Sequence, residues 1–333
     1  MTTKTWSEVV LAVRKAIAER DFEEAHVLLD PFEDLAAANG RAELAGKVAF
    51  YRGICFDTEG LWAEAATAFR EAIDFDSEAH GAESRAVADA MSSLALVYTN
   101  AKDFVEAATV YIDAADLYKA IGDPVEANGC RLQACQRLLD AGDFEGCLEG
   151  LGHVDADATP AQRVYRLMQE SEVLRRYGMR QDPEPRSTMM YLAFDQATES
   201  TRVVGDSSEE FQRALRGAWM NYAFMCLCFR RPDPAALAYS IALGLATNNA
   251  EKRQVQERAK AWSAEGYALV LREFDADAFV VAEQQGEGRH ATVTVYHREH
   301  GVRTVAGNRA VGKTAAVQVV DGVYRLASDA DDT

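Results

Sequence analysis

The stretch DFVEAATVY, residues 103–111, recurs along the chain in a form that decides the fold. Related stretches are DFEEAHVLL at 21–29, LWAEAATAF at 61–69 and DFEGCLEGL at 143–151. Each centres on a small residue, and neighbouring ones are 40, 42 and 40 residues apart: Ala25, Ala65, Ala107 and Cys147. An aromatic residue always lies three positions earlier: Phe22, Trp62, Phe104 and Phe144. Such a period is typical of arrays in which every repeat is one supersecondary unit.

The C-terminal half follows the same scheme. The pattern returns at Trp219, Ala223, Ala235, Tyr239 and Ala242, and 43 residues after Trp219 it begins again at Trp262, Gly266, Ala278 and Ala282. Between the regular regions we expect a looser unit with helices at about 161–177 and 188–204. Apolar residues recur every three or four positions, as on the buried face of a helix. The sequence therefore predicts seven pairs of antiparallel helices over roughly residues 5–285, with small residues where paired helices approach closely.

These repeats resemble those of the tetratricopeptide repeat (TPR) family. The resemblance is carried by the five residues from Trp219 to Ala242 named above and by two earlier sets: Gly53, Phe56, Gly60, Ala65, Phe69, Ala72, and Leu94, Ala95, Tyr98, Ala107, Tyr111, Ala114. The period of 40–44 residues is similar to that of long-repeat variants such as SNAP-type adaptors, kinesin light chains and Rap-type regulators. The resemblance implies a mostly α fold, an α-α superhelical solenoid, that acts as a non-enzymatic scaffold for a protein or peptide partner.

The resemblance also implies where a partner would bind, because the first helix of each TPR pair lines a concave groove. Matched position by position, the predicted groove residues are Lys47, Phe50, Ile54, Leu96, Asn100, Gln136, Met220, Phe224 and Tyr267. The basic set with which some TPR proteins grip a C-terminal carboxylate is absent from these positions. The apolar groove of the last two units either receives a hydrophobic helix or peptide or is filled by the C-terminal part of the chain itself.

The charge and composition of the chain argue against nucleic-acid-binding, membrane and secreted proteins. The 333 residues include 53 Asp and Glu against 35 Lys and Arg, which gives a net charge of −18. Such a surface repels nucleic acid and anionic membranes unless a local basic patch exists. No apolar run approaches the length of a bilayer span, and the first residues lack a signal-peptide core, so we expect a soluble cytoplasmic protein.

Motifs for catalysis or for metal binding are not evident in the sequence. The six cysteines lack the paired spacing of a zinc site and are predicted to be mostly buried free thiols: Cys55, Cys130, Cys135, Cys147, Cys226 and Cys228. Nothing matches a hydrolase nucleophile elbow or a metalloprotease helix. We therefore predict no catalytic residues, no metal and no cofactor.

The pattern changes after Gln285. Alternation of apolar and polar residues, with many Val and Thr, predicts short strands at about 290–298, 302–306, 314–320 and 323–327. We expect a small antiparallel β module at 286–328, after the solenoid of 1–285 and before an acidic tail at 329–333. The segment from Arg289 to Arg325 contains six basic and two acidic residues, which gives it a net charge of +4. The module either docks on the acidic solenoid or offers a basic face to an acidic partner or nucleic acid.

One segment of this module, GNRAVGKT at 307–314, matches the phosphate-binding P-loop pattern. In a true P-loop Lys313 would reach the phosphates, and a helix would follow directly. Here the next residues alternate like a hairpin, and only 19 residues remain after Thr314. The segment is either a chance match in a loop or a nucleotide- or anion-binding site that uses Arg309 and Lys313.

Overall fold

The computed structural model describes residues 5–154, 157–181, 183–205 and 207–262, with backbone only at 183–187 and 233. Beyond them it describes the backbone of five strands. The chain divides into two compact units, which we call the first unit (Met1–Asp157) and the second unit (Ala158–Thr333).

Eight helices build the first unit. They are α1 (Trp6–Glu19), α2 (Phe22–Asn39), α3 (Ala42–Glu59), α4 (Trp62–His80), α5 (Arg85–Asn100), α6 (Phe104–Ala120), α7 (Pro124–Ala141) and α8 (Phe144–Gly152). Asp21, Asp103 and Asp143, the first residues of three of the repeated stretches, cap α2, α6 and α8, where each carboxylate accepts the N–H three residues on. Gly60 and Gly142 end α3 and α7 with φ of 86° and 84°, a left-handed conformation that glycine adopts without strain.

Small residues hold the paired helices together, as the spacing predicts. Ala25, Ala65, Ala107 and Cys147 are completely buried. A Cβ at Gly53 of α3 would come within 2.8 Å of Phe69 Cζ on α4, so the ring occupies the space that a side chain would need. The predicted register of the helix pairs is therefore confirmed in this unit.

Five helices build the second unit up to residue 262: α9 (Pro160–Gly178), α10 (Pro183–Ser200), α11 (Glu209–Cys228), α12 (Pro232–Gly244) and α13 (Asn249–Ala261). Helices α9 and α10 form the looser pair. The five repeat residues of the next pair lie together in one apolar core: Trp219, Ala223, Ala235, Tyr239 and Ala242. Trp262, which begins the seventh predicted repeat, donates its indole N–H to the Tyr239 hydroxyl at 3.2 Å. Gly266 and Ala278 of that repeat lie outside the described residues.

The fold class needs one correction. The α solenoid is supported, since described residues up to 262 are 83% helical, with thirteen helices and no strand. The predicted C-terminal β module is wrong. Ala282, placed by the repeat pattern in a helix, begins the first of the five strands, and these belong to two separate sheets rather than to one module.

One sheet contains β1 (Ala282–Gln285), β2 (Ala291–His297) and β3 (Gly301–Gly307), all antiparallel; the other pairs β4 (Val317–Val320) with β5 (Val323–Leu326). No described ladder joins β3 to β4. The physical reason for the error is that a period of two identifies strands but does not determine whether successive hairpins share a sheet or a core. The acidic tail and residues 308–316, which include Arg309 and Lys313 of the P-loop match, lie outside the described residues.

Candidate functional site

In the first unit the first helices of the pairs, α1, α3, α5 and α7, are neighbours. The Arg14 guanidinium of α1 donates to the Tyr51 hydroxyl of α3 at 3.2 Å. The Asn100 amide of α5 donates to Asp57 Oδ1 of α3 at 2.9 Å. The Cys130 thiol of α7 lies 3.8 Å from Ser92 Oγ of α5. These contacts place the four helices side by side. We use the name first-helix face for the side on which the predicted groove residues would lie together with Arg14 and Asp57: Arg14, Lys47, Phe50, Ile54, Asp57, Leu96, Asn100 and Gln136.

The polar groups of the first-helix face are already engaged with neighbours. The Lys47 ammonium lies 2.5 Å from Glu43 Oε1, one turn earlier on α3, and this hydrogen bond and charge lower the pKa of the Glu43 carboxyl. The Gln136 amide donates to Asp140 Oδ1 at 3.1 Å. Together with the Asn100–Asp57 bond, these contacts restrict the side-chain conformations that a partner would meet.

The apolar groups of the face differ in exposure. Phe50 is half-buried, with its ring edge-on to Phe69 at 5.4 Å between centroids, and Ile54 packs on the same core. Leu96 occupies on α5 the repeat position of Ile54 on α3 and keeps 46% of its surface exposed. A single exposed leucine is ordinary on a protein surface, so Leu96 stands out only through the fixed Asn100 amide one turn further along α5.

In the second unit the predicted groove residues are packed against neighbouring side chains. Met220 is only 7% exposed and belongs to the core, as does Leu227. Phe224 is half-buried; its ring lies 5.5 Å from that of Trp262, and the Arg175 guanidinium lies 5.0 Å from its centre. Of the predicted groove residues in this unit, Met220 and Phe224 thus support packing, and Tyr267 lies outside the described residues.

Four of the cysteines, Cys55, Cys130, Cys135 and Cys228, are poor nucleophiles. Burial raises the pKa of the Cys55 and Cys130 thiols to about 11, and a hydrogen bond with Cys147 together with burial raises that of Cys135. Cys228 has a surface position, yet partial burial raises its pKa as well. A thiol in this state holds little of the reactive thiolate at neutral pH. Among the described residues no group of His, Cys, Asp and Glu could hold a metal ion.

A groove that the sequence analysis missed lies between α2, α3 and α4 of the first unit. Its cavity has a volume of about 370 Å³. Small residues form about half of its wall, and five charged residues surround it: Glu33, Ala36, Ala37, Gly40, Arg41, Ala42, Ala45, Val48, Ala49, Arg52, Glu71, Phe75 and Glu78. We call this the α2–α4 groove. The only sequence signal for it is the alanine content of α2 and α3, which the repeat pattern already explained as helix packing.

The acidic charge of the chain is concentrated in the first unit. Residues 1–157 contain 13 Lys and Arg against 30 Asp and Glu, a net charge of −17, whereas the remaining residues carry only −1. Within the part of the chain that the structure describes, no helix combines the length and apolarity needed to cross a bilayer.

Several solved structures match the chain at low sequence identity. The apo form of the quorum sensor NprR from B. thuringiensis is 14% identical, with a TM-score of 0.49, over 78% of this chain and 71% of that one. NprR in complex with its cognate peptide NprX is 13% identical, with a TM-score of 0.43, over 77% and 73%. Yeast Tom70 is 16% identical, with a TM-score of 0.45, over 73% of this chain and 44% of that one.

No protein-family model and no curated protein sequence matches the chain. The fold is recognised from the described helices themselves, which pair in sequence order, place small buried residues at their contacts and repeat with a period near 40 residues. The chain has a TPR-like helical repeat fold.

Proposed function

We propose that the protein is a non-enzymatic scaffold whose first-helix face binds a protein or peptide. The observations that carry this proposal are the hydrogen bonds by which α1, α3 and α5 fix polar groups on this face and the exposure of Leu96 beside one of them, Asn100. An exposed apolar side chain between hydrogen-bonded polar groups can lose water on binding while the polar groups fix the orientation of the ligand.

The contacts between the helices support binding of an extended segment. Arg14, Asp57 and Asn100 are held by neighbouring helices, so less side-chain freedom is lost when a partner arrives. The face runs across four helices whose equivalent residues are about 40 positions apart in sequence. A repeat surface of this kind offers successive, similar contacts along its length, which suits a chain-like ligand.

The chemistry of the described side chains also favours binding over catalysis. The Cys55 and Cys130 thiols have raised pKa values, and no candidate metal cluster occurs among the described residues. The sequence adds no recognised catalytic motif. A scaffold role therefore needs only the groups that the first-helix face offers for binding, namely the exposed Leu96 and the fixed polar groups.

The test is a pair of matched substitutions, Leu96→Asp and Val105→Asp. Both replace an exposed apolar residue, but Val105, with 64% exposure, lies on α6 and outside the first-helix face. Random twelve-residue peptides displayed on phage would be selected on the wild-type protein, and the affinity of each enriched peptide measured by fluorescence anisotropy.

We expect Leu96→Asp to weaken binding of face-directed peptides roughly tenfold or more, since it places a charge in the contact, and Val105→Asp to change it less than about twofold. Circular dichroism would verify that both variants keep their helices. Peptides that bind both variants equally well, or a greater loss with Val105→Asp, would contradict the proposal.

A further inference from the structure

The α2–α4 groove lies on the opposite side of α3 from the first-helix face. At about 100° per residue, Ala45, Ala49 and Arg52 point roughly 180° away from Lys47 and Ile54. A ligand in the groove therefore does not compete for the residues of the first-helix face.

The walls of the groove suit an apolar side chain. Alanines from α2 and α3 form the floor, and Phe75 of α4, which is 37% exposed, forms one side. The volume of about 370 Å³ is at the lower end of the range of roughly 300–1,000 Å³ found for ligand pockets. Exposed aromatic surface beside small residues leaves room for a large side chain and offers it a ring to pack on.

The rim of the groove selects the charge of the ligand. Arg52 lies 2.9 Å from Asp30 and 2.5 Å from Glu33, so these three charges largely satisfy one another. Glu71 and Glu78 are exposed, and the structure assigns neither of them an ion pair with any described residue. They lie two turns apart on α4, about 10 Å along the helix, on the same side. Arg41 is the remaining cation of the lining, so the unsatisfied rim charge is negative.

The net negative charge of the whole first unit also favours a cationic ligand. Its net charge of −17 attracts cationic segments over several ångströms and repels acidic ones, a second copy of the unit included. The groove thus combines an apolar floor with an acidic rim inside an acidic field.

We propose that the α2–α4 groove is a second docking site, which takes a bulky apolar side chain of a partner polypeptide flanked by Lys or Arg. The apolar side chain lies on the alanine floor against Phe75, and the flanking ammonium or guanidinium groups pair with Glu71 and Glu78. The site does not depend on binding at the first-helix face, because no residue is shared between them.

The experiment uses the full chain carrying Leu96→Asp, so that binding at the first-helix face is suppressed. Random twelve-residue peptides on phage would be selected on this variant, and enriched peptides titrated by fluorescence anisotropy at two salt concentrations. Two groove variants are compared on that background: Glu71→Lys with Glu78→Lys, which reverses the rim charge, and Ala45→Phe, which fills the half-exposed floor.

The matched control is Asp113→Lys with Glu149→Lys, the same change of net charge at exposed positions of α6 and α8 outside the groove. We expect enriched peptides to contain an apolar residue next to Lys or Arg and to bind more weakly at high salt. The rim reversal should weaken binding at least tenfold and the control less than about threefold, while Ala45→Phe should abolish binding without changing the helical circular dichroism.

Three results would overturn the proposal: enrichment of acidic or uncharged sequences only, equal losses in the rim reversal and the control, or binding that survives Ala45→Phe. A dimer in light scattering that Ala45→Phe abolishes would identify a second copy as the occupant and overturn it as well. Failure here leaves the Leu96 test unaffected, since that comparison is made on the wild-type background.

Discussion

Phe50 on α3 of the first unit is half-buried, whereas Met220 of the second unit, at the same repeat position, is a core residue, as is Leu132 on α7. The first unit also carries nearly all of the net charge of the chain. Yet the small residues between paired helices, such as Ala107 and Ala235, are equally buried in both. The comparison teaches that the repeat pattern specifies how helices pair, while the exposure of a given position is set for each helix and the net charge for each unit.

The two units also differ in the pKa shifts of their buried carboxyl groups. In the second unit the Arg216 guanidinium lies 2.7 Å from Glu251 Oε2, with both side chains largely buried. The Thr247 backbone N–H and hydroxyl also donate to Glu251, and the N–H, more than the charge of Arg216, lowers the pKa of that carboxyl. In the first unit, burial raises the pKa of the Asp76 carboxyl. The second unit thus stabilises the ionised form of Glu251, whereas the first unit destabilises the ionised form of Asp76.

The largest effect is expected from Glu251→Gln. This change leaves Arg216 as a buried, uncompensated cation, which should cost about 3 kcal/mol of the free energy of unfolding at pH 7. Glu257→Gln, at an exposed position of the same helix, should change it by less than about 0.5 kcal/mol. Because the folded pKa of Glu251 is lowered from 4.5, its contribution is complete above that pH and is lost as the pH falls through the lower value. Urea titrations at several pH values would check both the size and the trend, and equal effects of the two variants would contradict the role of the pair.

An intermediate effect is expected from Gly53→Ala in the first unit. The added methyl group would meet the Phe69 ring at 2.8 Å, so we expect a loss of about 1–3 kcal/mol from overpacking. Gly152→Ala is the matched control, since a Cβ there has no heavy atom within 4 Å, and it should be neutral or slightly stabilising. Thermal melts followed by circular dichroism compare the two; a tolerated Gly53→Ala would show that α3 and α4 separate more easily than their contact suggests.

The smallest effect, of opposite sign, is expected from Asp76→Asn. Asp76 is 6% exposed against Gly46, and His80 and Lys47 offset its burial only in part, while Glu43 and Asp89 oppose its ionisation further. Because the folded pKa is raised above 3.8, ionised Asp76 costs stability at pH 7, and this cost disappears as the pH falls below both values. Asp76→Asn should therefore stabilise the protein by roughly 1 kcal/mol at pH 7 and by nothing near pH 3. Destabilisation at pH 7 would mean that the carboxylate has a stabilising role.

The sequence was sufficient for the helix pairs because their contacts are local and periodic. Ala65 and Ala107 could be assigned to buried contacts from spacing alone, and both are completely buried. Phe50 and Met220 hold the same repeat position and could not be distinguished in the same way, since exposure depends on neighbouring helices rather than on position in the repeat. In the second unit, for example, Met168 of α9 lies against α11, 3.0 Å from where a Cβ of Gly217 would be.

The α2–α4 groove and the Arg216–Glu251 pair escaped sequence reasoning for a related reason. Each brings together residues of different helices whose spacing belongs to no repeat pattern, 35 residues apart in the case of the ion pair. The C-terminal strands show the converse limit. Alternation indicated extended segments, but the single module inferred from them was wrong, because pairing between hairpins is not encoded in a period of two.

The short turns of the first unit have a consequence for how the chain reaches its fold. Helices α1 and α2, α2 and α3, and α3 and α4 are each separated by only two residues. The Asp57–Asn100 bond, which joins neighbouring pairs, spans 43 residues, about one repeat. Contacts therefore form between segments that are close in sequence, and little loop-closure entropy opposes them. Such a chain can begin to fold at any helix pair. It can also gain or lose a whole pair without a change in the contacts between the remaining pairs.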